Sequence, residues 1–175
     1  NERLVVELSE REKAEKSLEK VEALLYAAID QSPSGIIIAD APNANNQFVN
    51  KAALTIRGEK GSSVTGNHTA SHQGSWQAFY VNDTTPCPYS KLPLSRAIFE
   101  GVTSKNVEMI IRRENNEDRW VICNAGPIRD KDNNIIAGIV VFHDITEQKH
   151  AELEKESLQA QLLQSTPWLS HLVKN

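Results

Sequence analysis

The longest apolar run in the chain is Ile135-Ile136-Ala137-Gly138-Ile139-Val140-Val141-Phe142. Crossing a bilayer takes ~20 such residues, so this run reads as a strand and not as a span. Gly35-Ile36-Ile37-Ile38-Ala39-Asp40 has the same character, apolar at odd and even positions alike. Strands of this kind are covered on both faces, because either face left in water would expose a row of aliphatic side chains. A sheet holding both strands therefore needs two covers, and the rest of the chain has to supply them.

The remaining strands are marked by their turns. The Asn-rich stretch 42–46 separates the strand at 35–40 from a short return strand at 47–50, a hairpin. Strands at 107–113 and 119–128 are joined by the polar loop 114–118, and the turn 130–134 leads into the last strand. Pro93 opens a helix in which Leu94, Ala97 and Ile98 share one face, and Gly101 supplies its stop. Residues 58–90 read as short helices and loops anchored by Trp76, Phe79 and Tyr80. The expected fold is α+β: a five-stranded antiparallel sheet with short helices on one face, flanked by N- and C-terminal amphipathic helices.

Residues 1–31 contain no Gly and are rich in Glu, Lys, Leu and Ala. Ala14, Leu18, Val21, Leu25 and Ala28 recur at alternating spacings of four and three, a heptad seam with Glu12, Lys16 and Lys20 around it. A surface helix packed on its own domain needs the same stripe, so a dimer seam and a cover for the sheet both stay open. At the other end, Asp144 stands three residues before Glu147, the capping-box spacing for a helix over 147–164. The division is a helix at 1–31, a core at 32–144, a linker helix at 145–165 and a tail at 166–175.

Several function classes drop out. With 19 Lys+Arg against 23 Asp+Glu, a net charge of −4 offers no electrostatic footprint for nucleic acid. No signal peptide or span is visible, so no membrane contact by this segment is expected, and a start at Asn1 reads as a piece of a longer protein. Cys87 and Cys123 are too few and too far apart for a disulfide framework; they read as reduced thiols in the cytoplasm. His68 and His72 have helical ligand spacing but no third ligand, so no metal site is expected. In Gly58-Glu59-Lys60-Gly61-Ser62-Ser63 the Lys precedes the second Gly, which breaks the phosphate-loop pattern. His171 lacks the acid that accompanies a phosphoacceptor, and no catalytic residue is assigned.

The element order, with Asn50 after the second strand, Arg119-Trp120 opening the fourth and Asp144-Ile145-Thr146-Glu147 closing the fifth, resembles a PAS domain over about residues 22–148. The most specific stretches are Leu92-Pro93-Leu94-Ser95-Arg96-Ala97, Ala125-Gly126-Pro127-Ile128 and Val140-Val141-Phe142-His143-Asp144-Ile145-Thr146. The chain is similar to PAS modules of bacterial sensor histidine kinases and related signalling proteins. Leu158-Gln159-Ala160-Gln161-Leu162-Leu163-Gln164 resembles the helix leading into a kinase's phosphoacceptor region. The resemblance implies a sensory module, not itself an enzyme, that forms a homodimer through its flanking helices. Such a module relays a small-molecule signal to a downstream kinase in the same chain, part of a two-component phosphorelay. Asp144, Ile145, Thr146 and Glu147 are then the transmission joint. Candidate pocket residues are Trp76, Tyr80, Arg96, Ile111, Trp120, Ile122 and Asn124, apolar walls with a few polar groups. A ligand-free interaction and spacer domain is the alternative, as is a module serving another output such as a cyclic-dinucleotide enzyme or a transcription regulator. The cofactor is left unknown. Haem is not expected, because the helix at 93–100 has no His, nor flavin, because no Asn-Cys-Arg-Phe-Leu-Gln motif occurs.

Overall fold

The computed structural model describes residues 2–59, 76–81, 83 and 85–165. The readings of His68, His72, His171, the helices expected within 60–75 and the tail fall outside them. Helix α1 (Glu2–Asp30) precedes the hairpin of β1 (Gly35–Asp40) and β2 (Asn46–Val49). Helix α2 (Lys51–Arg57), strand β3 (Trp76–Tyr80), a 3-10 turn (Tyr89–Lys91) and helix α3 (Pro93–Glu100) follow. Strands β4 (Ser104–Arg113), β5 (Asp118–Arg129) and β6 (Ile135–Asp144) lead into helix α4 (Thr146–Ser165).

The α+β class stands, but the sheet has six antiparallel strands, in the order β2-β1-β6-β5-β4-β3. The additional one is β3, which pairs with β4 through Ala78↔Ile111 and Phe79↔Ile110. Its five residues alternate between the two faces, too short a pattern to stand out beside a Ser- and Gly-rich stretch.

Burial alternates along every long strand and defines two faces. Ile37, Ala39, Met109, Ile111, Val121, Cys123, Ala125, Val140 and Phe142 point inward onto α2 and α3 and form one buried cluster. Gly138 sits under α3: a Cβ there would lie 2.6 Å from Cγ1 of Ile98, so the helix approaches this closely only over glycine. Asn50 is fully buried and ties three elements together. Its Oδ1 accepts from the N–H groups of Ile36 and Ala53, capping α2, while Nδ2 donates to the carbonyls of Ile29 and Ser34.

Helix α1 does not cover the outer face. From Arg3 on its residues are exposed apart from half-buried Ile29, and it meets the core near its end, through Tyr26 against the Phe48 ring at 5.5 Å and Asp30 accepting from the N–H of Lys51. The physical reason is that its apolar residues are spread around the helix: Val5, Val6, Leu8, Leu24 and Tyr26 are exposed alongside the seam residues Leu18, Val21 and Leu25. No single stripe drives it onto the sheet.

Candidate functional site

Between the inner face and helices α2 and α3 lies a cavity of about 70 Å³. Its walls are apolar, with Ile37, Leu94, Ile111, Val121 and Phe142 among them, and Arg57 is the one charged residue among the described ones lining it. Arg57 ends α2 and is 2% exposed. Its Nη2 donates to Oε2 of Glu59 at 2.7 Å, and its guanidinium carbon lies 5.2 Å from the centre of the Trp76 ring. Burial lowers the pKa of Arg57, and the attraction of Glu59 opposes that shift. Two donors of residues in this wall, Nε of Arg57 and Nε1 of Trp76, are buried and find no hydrogen-bond partner among the described residues.

The thiols in this region are poor nucleophiles. Burial pushes Cys123 up to about 12 and also raises Cys87, so neither forms an appreciable thiolate near neutral pH.

A chain of polar contacts runs from the end of α2 to the start of α4. Arg113 donates to the carbonyls of Thr55 and Ile56, satisfying acceptors at the C-terminus of α2 next to Arg57. Glu117 bridges Arg113 and Arg119, at 2.6 Å to each. Arg119 faces Asp144 at 3.5 Å. Asp144 Oδ1 accepts from both the N–H and the hydroxyl of Thr146, while the Thr146 oxygen accepts from the N–H of Trp120. Ile145 adds an N–H to the Trp120 carbonyl. The capping-box reading of Asp144 changes accordingly: its carboxylate reaches Thr146, two residues on, and the helical bonds begin with Lys149 N–H to the Ile145 carbonyl. Asp144 stands one residue before the cap because its carboxylate is already engaged in the turn that joins β6 to α4. Lys149 then anchors the first turn of α4, 3.2 Å from Glu108 and 5.8 Å from the centre of the Trp120 ring.

Of the residues singled out from sequence, Trp76 and Ile111 line the cavity. Tyr80 packs beside the core and donates its hydroxyl to the Lys91 carbonyl. Arg96 pairs with Glu100 on the exposed side of α3. Trp120, Ile122 and Asn124 share a face, as period-two alternation requires, but it is the outer one. There Trp120 lies opposite Ile110, and Asn124 accepts from the N–H of Asn106. Their inward neighbours Val121, Cys123 and Ala125 take the core positions. Period two groups residues without saying which group faces the helices; that is settled by which side α2 and α3 dock on. Arg57 was the residue missed. A lone Arg in the last helical turn before Gly58 reads as a solvated charge at a helix end, whereas in the structure it is buried, with its guanidinium over the Trp76 ring.

A family described as PAS domain matches residues 33–147. No curated protein matches the chain at a significant level. Among solved structures, the chain is similar to the PAS domain of an HTR-like protein from Haloarcula marismortui, at 18% identity, 77% of this chain, 99% of that one and a TM-score of 0.53. It is also similar to an RNA-binding Light-Oxygen-Voltage receptor, at 20% identity, 79% coverage and a TM-score of 0.52, but spans only 37% of that receptor's length. The PAS domain of the fruit-fly ELK potassium channel gives 13% identity over 71% of this chain and 96% of that one, with a TM-score of 0.50. Likeness at these identities is likeness of fold. Among the described residues, no helix is long and apolar enough to cross a membrane, and no group of His, Cys, Asp and Glu is placed to hold a metal ion.

Proposed function

The chain belongs to the PAS domain family, and on that premise we propose that it senses occupancy of the Arg57 cavity and relays it through Asp144, Ile145, Thr146 and Glu147 to helix α4. The observation that carries this reading is the unbroken polar chain from the C-terminus of α2, a wall of the cavity, to the first turn of α4. A ligand acts on such a device only through its different affinity for two arrangements of that chain. Helices α1 and α4 pair with a second copy, through the seam of Ala14, Leu18, Val21, Leu25 and Ala28 and through exposed Leu158 and Leu162. The output is a histidine kinase in the same cytoplasmic chain, a reading supported by the sequence of 158–164.

A flavin or haem does not suit the cavity bounded by the described residues. Sites for molecules of drug size measure ~300 Å³ or more, against about 70 Å³ here. The likeness to a Light-Oxygen-Voltage receptor is one of fold and brings no cofactor residues with it.

Amide exchange at residues 146–149 tests the relay. Narrowing the cavity with Ala78→Val is expected to change protection there severalfold, and adding Arg119→Ala should abolish the response. Unchanged protection in the first variant would sink the proposal. The small cavity also favours a second reading, a domain that only associates and spaces its neighbours. Native mass spectrometry separates the two: a dimer with a small-molecule adduct supports sensing, a bare dimer supports association, and a monomer removes helix pairing from both.

A further inference from the structure

The sheet floors the cavity with hydrocarbon. Apart from Trp76, every described lining residue that the sheet contributes has a side chain without nitrogen or oxygen, with Ile37, Met109, Val121 and Val140 among them. Residues with polar groups line the space too, Arg57 and Ser95 for example, yet the surface turned towards it is almost wholly apolar. Burial pushes the Cys123 thiol up to about 12, so the sheet side of the wall stays uncharged near neutral pH. A buried water needs about two to four polar partners, and a wall of this kind offers almost none, so such a cavity stays dry. Dryness decides the chemistry of an occupant. A hydrogen-bonding or charged group entering here gives up its hydration without replacement. A hydrocarbon leaves water favourably and gains contacts with side chains that otherwise face a void. At about 70 Å³ the space is roughly half of the ~150 Å³ in which an apolar cavity takes benzene, which leaves room for about three heavy atoms.

We infer that the cavity binds a small, uncharged, hydrocarbon-like molecule of about three heavy atoms, held by dispersion and the exclusion of water without a hydrogen bond. The inference rests on the cavity being the sensory site and names the class of molecule that site takes.

The test uses the full chain and three probes: dissolved propane, its polar counterpart dimethyl ether, and benzene. Methyl ¹H–¹³C spectra read Met109, Val121 and Val140 in the wall, with exposed Leu158 and Leu162 of α4 as controls. Propane is expected to shift the cavity methyls saturably, to leave the α4 methyls in place, and to bind about tenfold or more tighter than dimethyl ether. Benzene should be excluded from the unaltered chain and admitted by Val121→Ala, which removes two methyl groups from the wall. Ala78→Val narrows the space instead and should weaken propane binding severalfold. Equal or tighter binding of dimethyl ether would overturn the apolar recognition, and benzene bound to the unaltered chain as tightly as propane would overturn the size limit. Exclusion of propane, or cross-relaxation of the cavity methyls with a bound water, would overturn the inference, while the sensory reading would still be decided by the exchange response to Ala78→Val. Propane binding that leaves amide exchange at 146–149 unchanged would uphold this site and count against the sensory reading alone.

Discussion

The two faces of the sheet are built from the same strands and end in different states. On β5, inward Val121, Cys123 and Ala125 are at most 5% exposed, while outward Trp120, Ile122 and Asn124 are half-buried. The same holds on β1 and β6, where Ile37 and Val140 are buried and Ile36, Ile38, Ile139 and Val141 are not. Composition does not explain the difference, because both faces are aliphatic. The inner face is closed by α2 and α3, whose short apolar sides match it, whereas the described residues touch the outer face mainly at its margins. Lys149 stacks near Trp120 at one place, and Arg112 covers Phe79 at another, 4.7 Å from the ring centre while paired with Asp118. The inner face holds most of the buried core.

The largest test of that contrast truncates one aliphatic or aromatic group on each side. Phe142→Ala, inward and 4% exposed, should cost ~3–5 kcal/mol in denaturant unfolding, whereas Ile122→Ala, outward, should cost only about 1 kcal/mol. Comparable losses would mean that the outer face is structurally closed. Next comes Gly138→Ala. A Cβ there meets Ile98 and Leu94 of α3, and the expected loss is ~1–3 kcal/mol, read as a lower melting temperature. A neutral outcome would show that α3 is free to lift from the inner face.

The smallest effect is electrostatic and belongs to the outer margin. Hydrogen bonds from Arg112 hold the Asp118 carboxyl below the usual range, with partial burial opposing. A depressed carboxylate stabilises fully above its unfolded pKa and loses that contribution as pH falls through its folded value. An NMR titration of the Asp118 side chain should therefore give a midpoint below the ordinary carboxylate value, with Phe79 losing its Arg112 cover in step. An ordinary midpoint would show that the pair does not hold in solution.

Much of the fold was legible because its signals are local. Pro93 and Gly101 bound α3, where Gly101 adopts φ 67°, and the turns after Arg113 and Arg129 were marked by Asn116 and Asn133 at positive φ. Strand β3 escaped notice because a five-residue alternation competes with too many chance patterns. The candidate site was less legible. Trp76 and Ile111 line the cavity, whereas period two groups Trp120, Ile122 and Asn124 on one face without saying which, and the docking of α2 and α3 leaves that face outward.

The amino-acid sequence by itself determined the α+β class, the family, the flanking helices and the passage from the last strand into the last helix near Asp144, since periodicity, turn residues and short motifs act over a few positions. Only the tertiary structure decided which face of the sheet is the core, that α1 leaves the other face uncovered, and that Arg57 is a buried donor beside Trp76. Those outcomes depend on groups far apart in the chain docking on one side of a surface whose two sides are chemically alike.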